Sequence, residues 1–447
     1  MRTLIKAGTI LTVDPQRSII RDGGIVVNEN SIEAVLTAAG VLRMNDFKGE
    51  IIDATSLVAV PGFIQTHIHL CQTLFRGLAD DLELLDWLKL KIFPLEAAHI
   101  ASSMRASALV GVAELLRSGT TTIMDMGSIH HEEEIIHVVE ESGLRAFVGK
   151  AMMDVNDHYP KFKEPTKSAL NTSWKLAESV SKSGTGRIRY AFAPRFVLSC
   201  TEDLLRQTEE MVHSLPGTLL HTHAAENKSE MDAVRSRCAM NNIEYFNHIG
   251  VLDERTCLAH CIWLSPEEID MMKERNASVL HCPSSNLKLG SGVADIPRYL
   301  AKGITVSLGA DGAPCNNNLD MFTEMRLAAL IQKPPHGPTS MPAQTVFELA
   351  TIGGAKALGM DKEIGSLESG KKADITLLDI RRAWNSPASN NLCSTIVYSC
   401  DARNVHSVMV EGKWLVRDLH LAALDEEAIV AEAQNELRQL LQRVELQ

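Results

Sequence analysis

The chain lacks the features that mark several large classes of protein. Its nine cysteines include no Cys-x-x-Cys pair and form no dense framework, so we expect reduced thiols in a cytoplasmic protein. No apolar run approaches the roughly 20 residues that a membrane-spanning helix needs. Asp14 and Arg17 end the first apolar run early, so we also expect no secretory leader and no membrane partner.

Basic residues are scarce as well. The chain has 44 Lys and Arg against 56 Asp and Glu, a formal net charge of −12. Surfaces that bind nucleic acid are normally basic, so we expect no nucleic-acid partner. The hydrophobic content of 45% and charged content of 22% are ordinary for a soluble globular protein. These properties favour a protein that acts on a small molecule.

The length and the distribution of strand patterns predict two structural units. A chain of 447 residues is too long for one small core and indicates a large domain with an accessory one. Short strand patterns fill residues 3–57, and the β signal returns after residue 364. Neither end alone has enough strands for a stable core, so we predict that the two ends pair. Residues 1–57 and 365–447 would form a composite β-sandwich domain.

The end of this accessory domain has a different pattern. Residues 426–444 read as an amphipathic helix with a stripe of Leu and Ile. Such a stripe is typical of a core or subunit contact, and we expect a homo-oligomer.

Between the two β-rich ends, apolar strands alternate with amphipathic helices. Eight candidates for strands are 58–65, 121–125, 146–152, 188–193, 218–222, 256–259, 277–280 and 304–308. Eight β–α alternations over about 300 residues predict an α/β fold, a (β/α)8 barrel of the TIM type at residues 58–364. The alternative is an open doubly wound sheet, but no Gly-x-Gly-x-x-Gly follows the first strand.

Two histidines end the first predicted barrel strand. His67 and His69 are separated by one residue, and on a strand such residues point the same way, about 7 Å apart at Cα. Both imidazoles can then reach one metal ion, and neutral imidazole is a common ligand of zinc-like ions. A His-x-His pair alone is a weak signal of a metal site, so the residues at the other strand ends decide whether the pair is interpreted as metal-binding.

Histidine or aspartate also follows four later strand patterns: His223, His260, His281 and Asp311. In a barrel the carboxyl ends of the strands share one rim, where active groups lie. Three histidines with one carboxylate suit one divalent transition metal, either Zn²⁺ or Fe²⁺. Glu226, three residues after His223, is a candidate acid for protonating the substrate.

The motifs around these residues resemble those of the amidohydrolase superfamily, in its deaminase and chlorohydrolase branch. They are Pro61-Gly62-Phe63, His67-x-His69, His223-Ala224-Ala225-Glu226, Ala259-His260, His281-Cys282-Pro283-Ser284-Ser285-Asn286 and Gly309-Ala310-Asp311-Gly312. The resemblance runs from about residue 3 to residue 416 and implies a barrel with a composite β-sandwich. It implies hydrolysis of an amino or chloro substituent on a purine, pterin or triazine ring.

The resemblance also implies a role for each motif residue. His67, His69, His223 and Asp311 would bind one metal, and Glu226 would relay a proton to the ring nitrogen beside the attacked carbon. His260 would hold the attacking water. Asp311 would take the proton of that water and pass it to the leaving amine. Binuclear relatives use a lysine on strand four, and strand four has none here, so we predict a mononuclear site. We expect Lys150, on strand three, to be solvated or helix-facing.

Six further residues are candidates for binding the substrate: Gln72, Trp87, Glu96, Arg195, His281 and Cys315. Glu96 lies two residues after Pro94, in the loop after strand one that also contains Trp87. There it resembles the glutamate that grips the ribose hydroxyls in deaminases of 5'-deoxyadenosine, methylthioadenosine and S-adenosylhomocysteine. Its carboxylate can accept hydrogen bonds from both hydroxyls. The segment from Asp311 to Phe322 resembles the same enzymes, with Cys315 where some carry serine.

Arg195 and Gln72 favour a different substrate. Pro194-Arg195-Phe196 and Gln72, three residues after His69, resemble guanine deaminases, and several nucleoside deaminases carry histidine at the position of Arg195. We expect an adenosine-type nucleoside, with a guanine-type base or a triazine as alternatives. A non-catalytic metal-dependent binding protein is a further alternative, although Glu226 and His260 beside the ligands argue against it. A zinc enzyme of the cytidine-deaminase type is excluded, because Pro-Cys-x-x-Cys is absent.

Overall fold

Two sheets organise the computed structural model, which describes residues 2–184, 186–387 and 389–444. One sheet is the barrel, whose strands run parallel. The first eight strands along the chain are β1 Arg2–Leu11, β2 Ile19–Asn28, β3 Ser31–Leu36, β4 Glu50–Pro61, β5 Phe63–His69, β6 Thr120–Asp125, β7 Arg145–Val148 and β8 Ala151–Met152. The others are β9 Ile188–Pro194, β10 Leu219–Ala224, β11 Thr256–His260, β12 Ser278–His281, β13 Val306–Leu308, β14 Asp311–Gly312, β15 Ile375–Leu378, β16 Val405–Val410, β17 Lys413–Arg417 and β18 His420–Leu421.

The barrel closes at its eighth strand. This strand has two parts: β13 pairs with β12, and β14 pairs with β5 through Asp311 and Ile68. The third strand is also split into β7 and β8, which both pair with β9. The strands are buried on both faces, as expected when helices cover a parallel sheet. The predicted (β/α)8 barrel with a second β unit is therefore confirmed.

The second sheet contains strands from both ends of the chain. Its order is β18-β17-β16-β15-β4-β1-β2-β3, so β15, from the C-terminal part, lies antiparallel to β4, from the N-terminal part. This sheet has its own apolar core, which includes Ile5, Ile25, Ala59 and Met409. The predicted domain boundaries at 57/58 and 364/365 stay a prediction.

The first barrel strand begins later than predicted. Residues 58–61, expected to start the barrel, instead pair with β15 in the second sheet, and the barrel strand starts at Phe63. The apolar run is continuous through residue 64, and both sheets demand apolar residues there. Sequence pattern alone therefore cannot divide the run between the two sheets.

Helices surround the barrel. In the described part of the chain the α-helices are α1 Ala38–Leu42, α2 Leu84–Trp87, α3 Phe93–Ala97, α4 Ala101–Arg117, α5 Glu132–Ser142, α6 Thr166–Lys182, α7 Glu202–Ser214, α8 Lys228–Cys238, α9 Asn242–His248, α10 Pro266–Glu274, α11 Pro283–Lys288, α12 Ile296–Ala301, α13 Ala313–Asn316, α14 Met321–Leu330, α15 Lys333–His336, α16 Ala343–Glu348, α17 Gly354–Ala357, α18 Leu392–Ser399 and α19 Glu426–Arg443. Short 3₁₀ turns cover Leu70–Phe75, Val197–Ser199, Ala383–Asn385 and Ala402–Asn404, and π-helical turns cover Leu88–Ile92 and Leu349–Gly353. Every helix in the described ranges is too short or too polar to span a bilayer.

The C-terminal helix α19 packs on the barrel side of the molecule. Ala433 and Leu440 join an apolar cluster with Phe75 and Leu95, and the helix lies against α4. Its apolar stripe is therefore at least partly core.

Candidate active site

Four side chains from three distant parts of the chain meet at one rim of the barrel. The Nε2 atoms of His67 and His69 each lie 3.2 Å from Oδ1 of Asp311. Nε2 of His69 lies 3.3 Å from Nε2 of His223. The four ligand atoms of this set all lie within 4.8 Å of one another. The cluster joins the ends of β5 and β10 with the start of β14.

A close backbone approach brings Asp311 to the first strand. A Cβ atom on Gly309 would lie 2.6 Å from the carbonyl oxygen of His67, so this position requires glycine. Asp311 itself has φ +63°, and His260 has φ +72°. Non-glycine residues in this left-handed region have a strained backbone, and such strain is common at functional sites.

The hydrogen bonds of His69 and His223 fix which of their ring nitrogens faces the centre of the cluster. Nδ1 of His69 lies 2.7 Å from the carbonyl oxygen of Met126, and Nδ1 of His223 lies 2.7 Å from that of Arg195. A carbonyl oxygen only accepts, so both Nδ1 atoms carry the proton and donate it. The Nε2 lone pairs are then left pointing at each other and at a carboxylate.

Burial favours the neutral form of two of the three histidines, whereas for His69 the hydrogen bond and charge of Asp311 outweigh burial and raise the pKa. Burial lowers the pKa of His67 to about 4 and also lowers that of His223 well below its ordinary value. Burial alone would raise the pKa of Asp311, but His67 and His69 outweigh it and hold the pKa of that carboxyl well below its usual range. Neutral imidazole and ionised carboxylate are the forms that ligate metals.

The residues present fit a divalent metal. Nε2 of His67 is buried without a hydrogen-bond partner in the described part of the chain, and an unpaired buried polar atom is costly. Facing lone pairs on His69 and His223 repel unless a cation lies between them. Three imidazole nitrogens and one carboxylate oxygen form a donor set suited to zinc or ferrous iron.

Two further ionisable side chains, His260 and Glu226, lie beside the four candidate ligands. Nε2 of His260 lies 3.4 Å from Oε2 of Glu226 and 3.8 Å from Oδ2 of Asp311. Nδ1 of His260 lies 2.8 Å from Oδ1 of Asn286, which leaves Nε2 facing the two carboxyl groups. Ser285 donates a hydrogen bond of 2.6 Å to Oδ2 of Asp311.

Glu226 has the properties of an acid. It is 4% exposed, and burial, followed by the charge of Asp311, raises its pKa well above its ordinary value. A carboxyl group with a raised pKa keeps its proton to higher pH than an ordinary glutamate and can donate it. The pKa values of Glu226 and Asp311 are therefore shifted in opposite directions within one site.

A cavity opens onto the cluster, and three of the six predicted substrate residues line it. These are Gln72, Trp87 and Arg195. Nε1 of Trp87 and Oε1 of Gln72 are buried without hydrogen-bond partners in residues 2–184, 186–387 and 389–444. Polar atoms of this kind are available to a ligand that enters the cavity.

Glu96 is not on the cavity surface but behind Arg195. The two form a paired ion contact with both N···O distances at 3.0 Å, and Glu96 and Arg195 are only 1% and 3% exposed. Gln72 and Ser128 also donate to the carboxylate, at 2.9 and 3.3 Å. Burial would raise the pKa of Glu96, but Arg195 reverses this and lowers it. The pair is therefore ionised.

The other predicted residues lie elsewhere. His281 is fully buried, with both ring nitrogens unpaired in the described structure, and Cys315 directs its thiol at the carbonyl oxygen of Gly312, 3.1 Å away. Neither lines the cavity.

Lys150, expected to be solvated or helix-facing, is instead buried and paired with Glu164. The expectation was wrong because the partner comes from a loop that local pattern does not place.

Several residues of the site had no predicted role. Glu230 lines the cavity, and its Oε2 accepts from the backbone N–H of Glu226 at 2.7 Å. Ser285 and Asn286 belong to the motif of residues 281–286, for which the sequence predicted no individual role. His221 precedes His223 by two residues, the same spacing that identified His67 and His69. That spacing was a signal that could have found it.

Comparison with known proteins agrees with this geometry. The sequence model of the amidohydrolase family matches residues 58–415. A 5'-deoxyadenosine deaminase of Methanothermobacter thermautotrophicus is 39% identical over 416 residues, 92% of this chain and 93% of that protein. A 5-methylthioadenosine/S-adenosylhomocysteine deaminase of Moorella thermoacetica is 37% identical over 432 residues, 96% of this chain and 98% of that protein.

A solved structure extends the agreement to the backbone. An adenosine deaminase from Xanthomonas campestris with bound zinc superimposes with a TM-score of 0.92 at 28% identity, covering 98% of each chain. The sequence matches span nearly the whole chain, and the barrel rim of this protein carries the residues that the resemblance predicted. The chain therefore belongs to the amidohydrolase family and is a hydrolase that acts on carbon–nitrogen bonds.

Proposed function

We propose that this enzyme removes the amino group of an adenosine-type nucleoside by hydrolysis, giving the inosine analogue and ammonia. The candidate substrates are 5'-deoxyadenosine, methylthioadenosine, S-adenosylhomocysteine and adenosine. The observation that carries the proposal is the meeting of Glu226, His260 and Asp311 at the edge of one cavity. The names of the relatives, at 39% and 37% identity, support the nucleoside class.

The metal would be zinc, with ferrous iron as the alternative. When bound, a divalent metal lowers the pKa of a water molecule toward neutrality and so supplies the nucleophile. His67, His69 and His223 would hold it through Nε2, and Asp311 through Oδ1. No lysine lies on β9 (Ile188–Pro194), which supports a single metal.

The remaining groups of the site would move the protons. Oδ2 of Asp311 is free of the ligand set and can accept the proton of the attacking water, while Ser285 holds that oxygen in place. His260, oriented by Asn286, would hold and polarise the water. Glu226 would donate its proton to the ring nitrogen beside the attacked carbon. Asp311 would then return its proton to the amino group, which leaves as ammonia.

Ammonia release is the direct test of this function. We expect release from adenosine-type nucleosides, and loss of that release when a chelator strips the metal, because nucleophile formation depends on it. Readdition of zinc or ferrous iron separately should restore activity and identify the metal. A screen that includes guanine and a triazine tests the alternatives together. Release from the base or triazine alone would contradict the nucleoside assignment.

One observation favours the guanine-type alternative. Arg195 lines the cavity, whereas Glu96 lies behind it with its oxygens already paired. An arginine offers only hydrogen-bond donors, which suit a carbonyl oxygen of a base as well as the oxygen of a ribose hydroxyl. A triazine stays possible on the same scaffold, because the ligand set does not fix the leaving group.

Glu96 distinguishes a nucleoside enzyme from a base enzyme. For Glu96→Ala we expect kcat/KM for nucleosides to fall by about 10- to 100-fold, the effect of a lost hydrogen bond to a charged group, and to fall much less for free bases. The physical reason is that Arg195, which lines the cavity, loses its anchor and no longer holds a ribose hydroxyl in place. Steady-state kinetics on adenosine and adenine, or guanosine and guanine, measure this ratio.

The control for this prediction keeps the shape of the side chain. Glu96→Gln retains one acceptor oxygen and removes the charge, so it should lose less on nucleosides than Glu96→Ala. Equal losses on nucleosides and bases in Glu96→Ala would favour the guanine-type function.

Assembly and location also belong to this proposal. Val430 and Leu441 of α19 are 49% and 43% exposed, which supports a subunit contact, and we propose a homo-oligomer in the cytoplasm.

A further inference from the structure

His67 differs from the other two histidine ligands in what receives its Nδ1 proton. His69 and His223 donate the Nδ1 proton to backbone carbonyl oxygens. These acceptors belong to the main chain, so a side-chain substitution does not remove them. His67 uses a side chain: its Nδ1 lies 2.7 Å from Nε2 of His221. A substitution can therefore remove this contact while the backbone stays unchanged.

The protonation pattern of this pair follows from the role of His67. Nε2 of His67 faces Asp311, so the single proton of a neutral ring sits on Nδ1 and is donated to His221. Nε2 of His221 must then be unprotonated, and the proton of His221 sits on its own Nδ1. That Nδ1 has no partner in the described part of the chain, in a residue that is 0% exposed.

The unpaired Nδ1–H of His221 lowers the stability of the fold, which points to a role for this histidine in function. A buried N–H without an acceptor is unfavourable, and an apolar side chain in its place avoids that loss. The rings of His67 and His221 meet edge to face, with centroids 4.9 Å apart and an interplanar angle of 89°. The geometry is that of an acceptor aimed along the N–H bond of a metal ligand.

The strand holds His221 in this position. His221 and His223 lie two residues apart on β10, so both side chains point to the same face. His221 pairs with Cys257 of β11 in the barrel sheet and is buried in the barrel interior. The backbone that presents His223 to the cluster therefore also presents His221 to His67.

We propose that His221 is a positioning residue, whose Nε2 fixes the tautomer and ring plane in which His67 presents Nε2 to the metal. This inference rests on the proposed metal site. Outer partners of metal-ligating histidines typically change metal affinity by 10- to 100-fold when removed. Without His221, the His67 ring is free to rotate or to carry its proton on the nitrogen that should ligate.

The experiment compares two substitutions that differ in one property. His221→Leu removes the acceptor, and His221→Gln keeps one, since Oε1 of glutamine can reach the place of Nε2. Metal-free protein is titrated with zinc against a competing chelator, and unfolding temperature is recorded with and without zinc. We expect zinc affinity to fall about 10- to 100-fold in His221→Leu. The loss of zinc affinity in His221→Gln should be about ten times smaller than that in His221→Leu.

The metal-free unfolding temperature separates positioning from a merely structural role. We expect metal-free His221→Leu to unfold at about the same temperature as the unaltered protein, because it removes the unpaired N–H of His221 but leaves the buried Nδ1–H of His67 without an acceptor. Its gain in unfolding temperature on adding zinc should shrink. Equal zinc affinity in the leucine variant and the unaltered protein overturns the inference. So does equal weakening in both variants. If the unaltered protein binds no divalent metal, the proposed function itself fails, which is a different result.

Discussion

Glu226→Gln is expected to lower kcat by about 10²- to 10⁴-fold on the best substrate, the usual effect of losing a general acid. Glutamine keeps the size and the hydrogen-bonding shape of the side chain but has no proton to give to the ring nitrogen. Metal content should stay the same, because Glu226 is not in the ligand set. Stopped assays of ammonia release, with metal analysis on the same samples, measure both quantities.

The pH dependence of this variant follows from the sign of the pKa shift. The pKa of Glu226 is raised in the folded protein, first by burial, so folding is unperturbed by this group below the unfolded pKa, about 4.3. Stability then falls as the pH rises above that value toward the folded pKa, because the unfolded state releases the proton first. Glu226→Gln removes this cost, so the metal-free variant should be at least as stable as the unaltered protein at neutral pH.

Two further observations would decide the role of Glu226. If activity depends on its proton, the alkaline limb of the kcat/KM profile should be altered or absent in Glu226→Gln. Glu226→Asp keeps the acid but shortens its reach, so its activity should lie between that of the glutamine variant and the unaltered enzyme. Unchanged turnover in Glu226→Gln would remove the proton-relay role, whatever the metal content.

The metal cluster was predictable because each of its parts is local. A strand pattern followed by His or Asp places a polar side chain at a strand end, and barrel topology brings all such ends to one rim. This pattern placed His67, His69, His223 and Asp311 at the rim together with His260 and His281, and the family resemblance implied which four are ligands; the structure brings the ligand atoms of those four within 4.8 Å of one another. Their roles in binding and proton transfer stay predictions.

The surroundings of the cluster were less predictable because they depend on contacts between distant segments. Glu96 and Arg195 are 99 residues apart, and nothing near either residue indicates that they pair. The same holds for Lys150, whose partner Glu164 comes from a loop. The start of the first barrel strand was misplaced for a related reason: residues 58–61 suit either sheet, and only pairing with β15 decides between them.

Asp311→Asn should lower both turnover and metal affinity, because the proposed mechanism gives Asp311 two functions. Oδ1 lies 3.2 Å from Nε2 of His67 and of His69 and belongs to the ligand set, whereas Oδ2 faces His260 at 3.8 Å. Asparagine keeps a weaker, uncharged oxygen ligand and loses the base. We expect kcat to fall by at least about 10³-fold at saturating metal, and zinc to be held at least about tenfold less tightly.

Ser285→Ala is the matched control, since it removes only the hydrogen bond to Oδ2 and leaves the carboxylate in place. A hydrogen bond to a charged group contributes about 1.5–3 kcal/mol, so this variant should lose at most about 100-fold in kcat and retain its zinc. The two variants thus separate the presence of the carboxylate from its orientation. Asp311→Asn with full zinc affinity and only the loss seen in Ser285→Ala would show that Asp311 is neither ligand nor base. The water would then have to lose its proton to another group at the rim. His260 is the candidate for this role, because its Nε2 lies between the carboxyl groups of Glu226 and Asp311, at 3.4 and 3.8 Å.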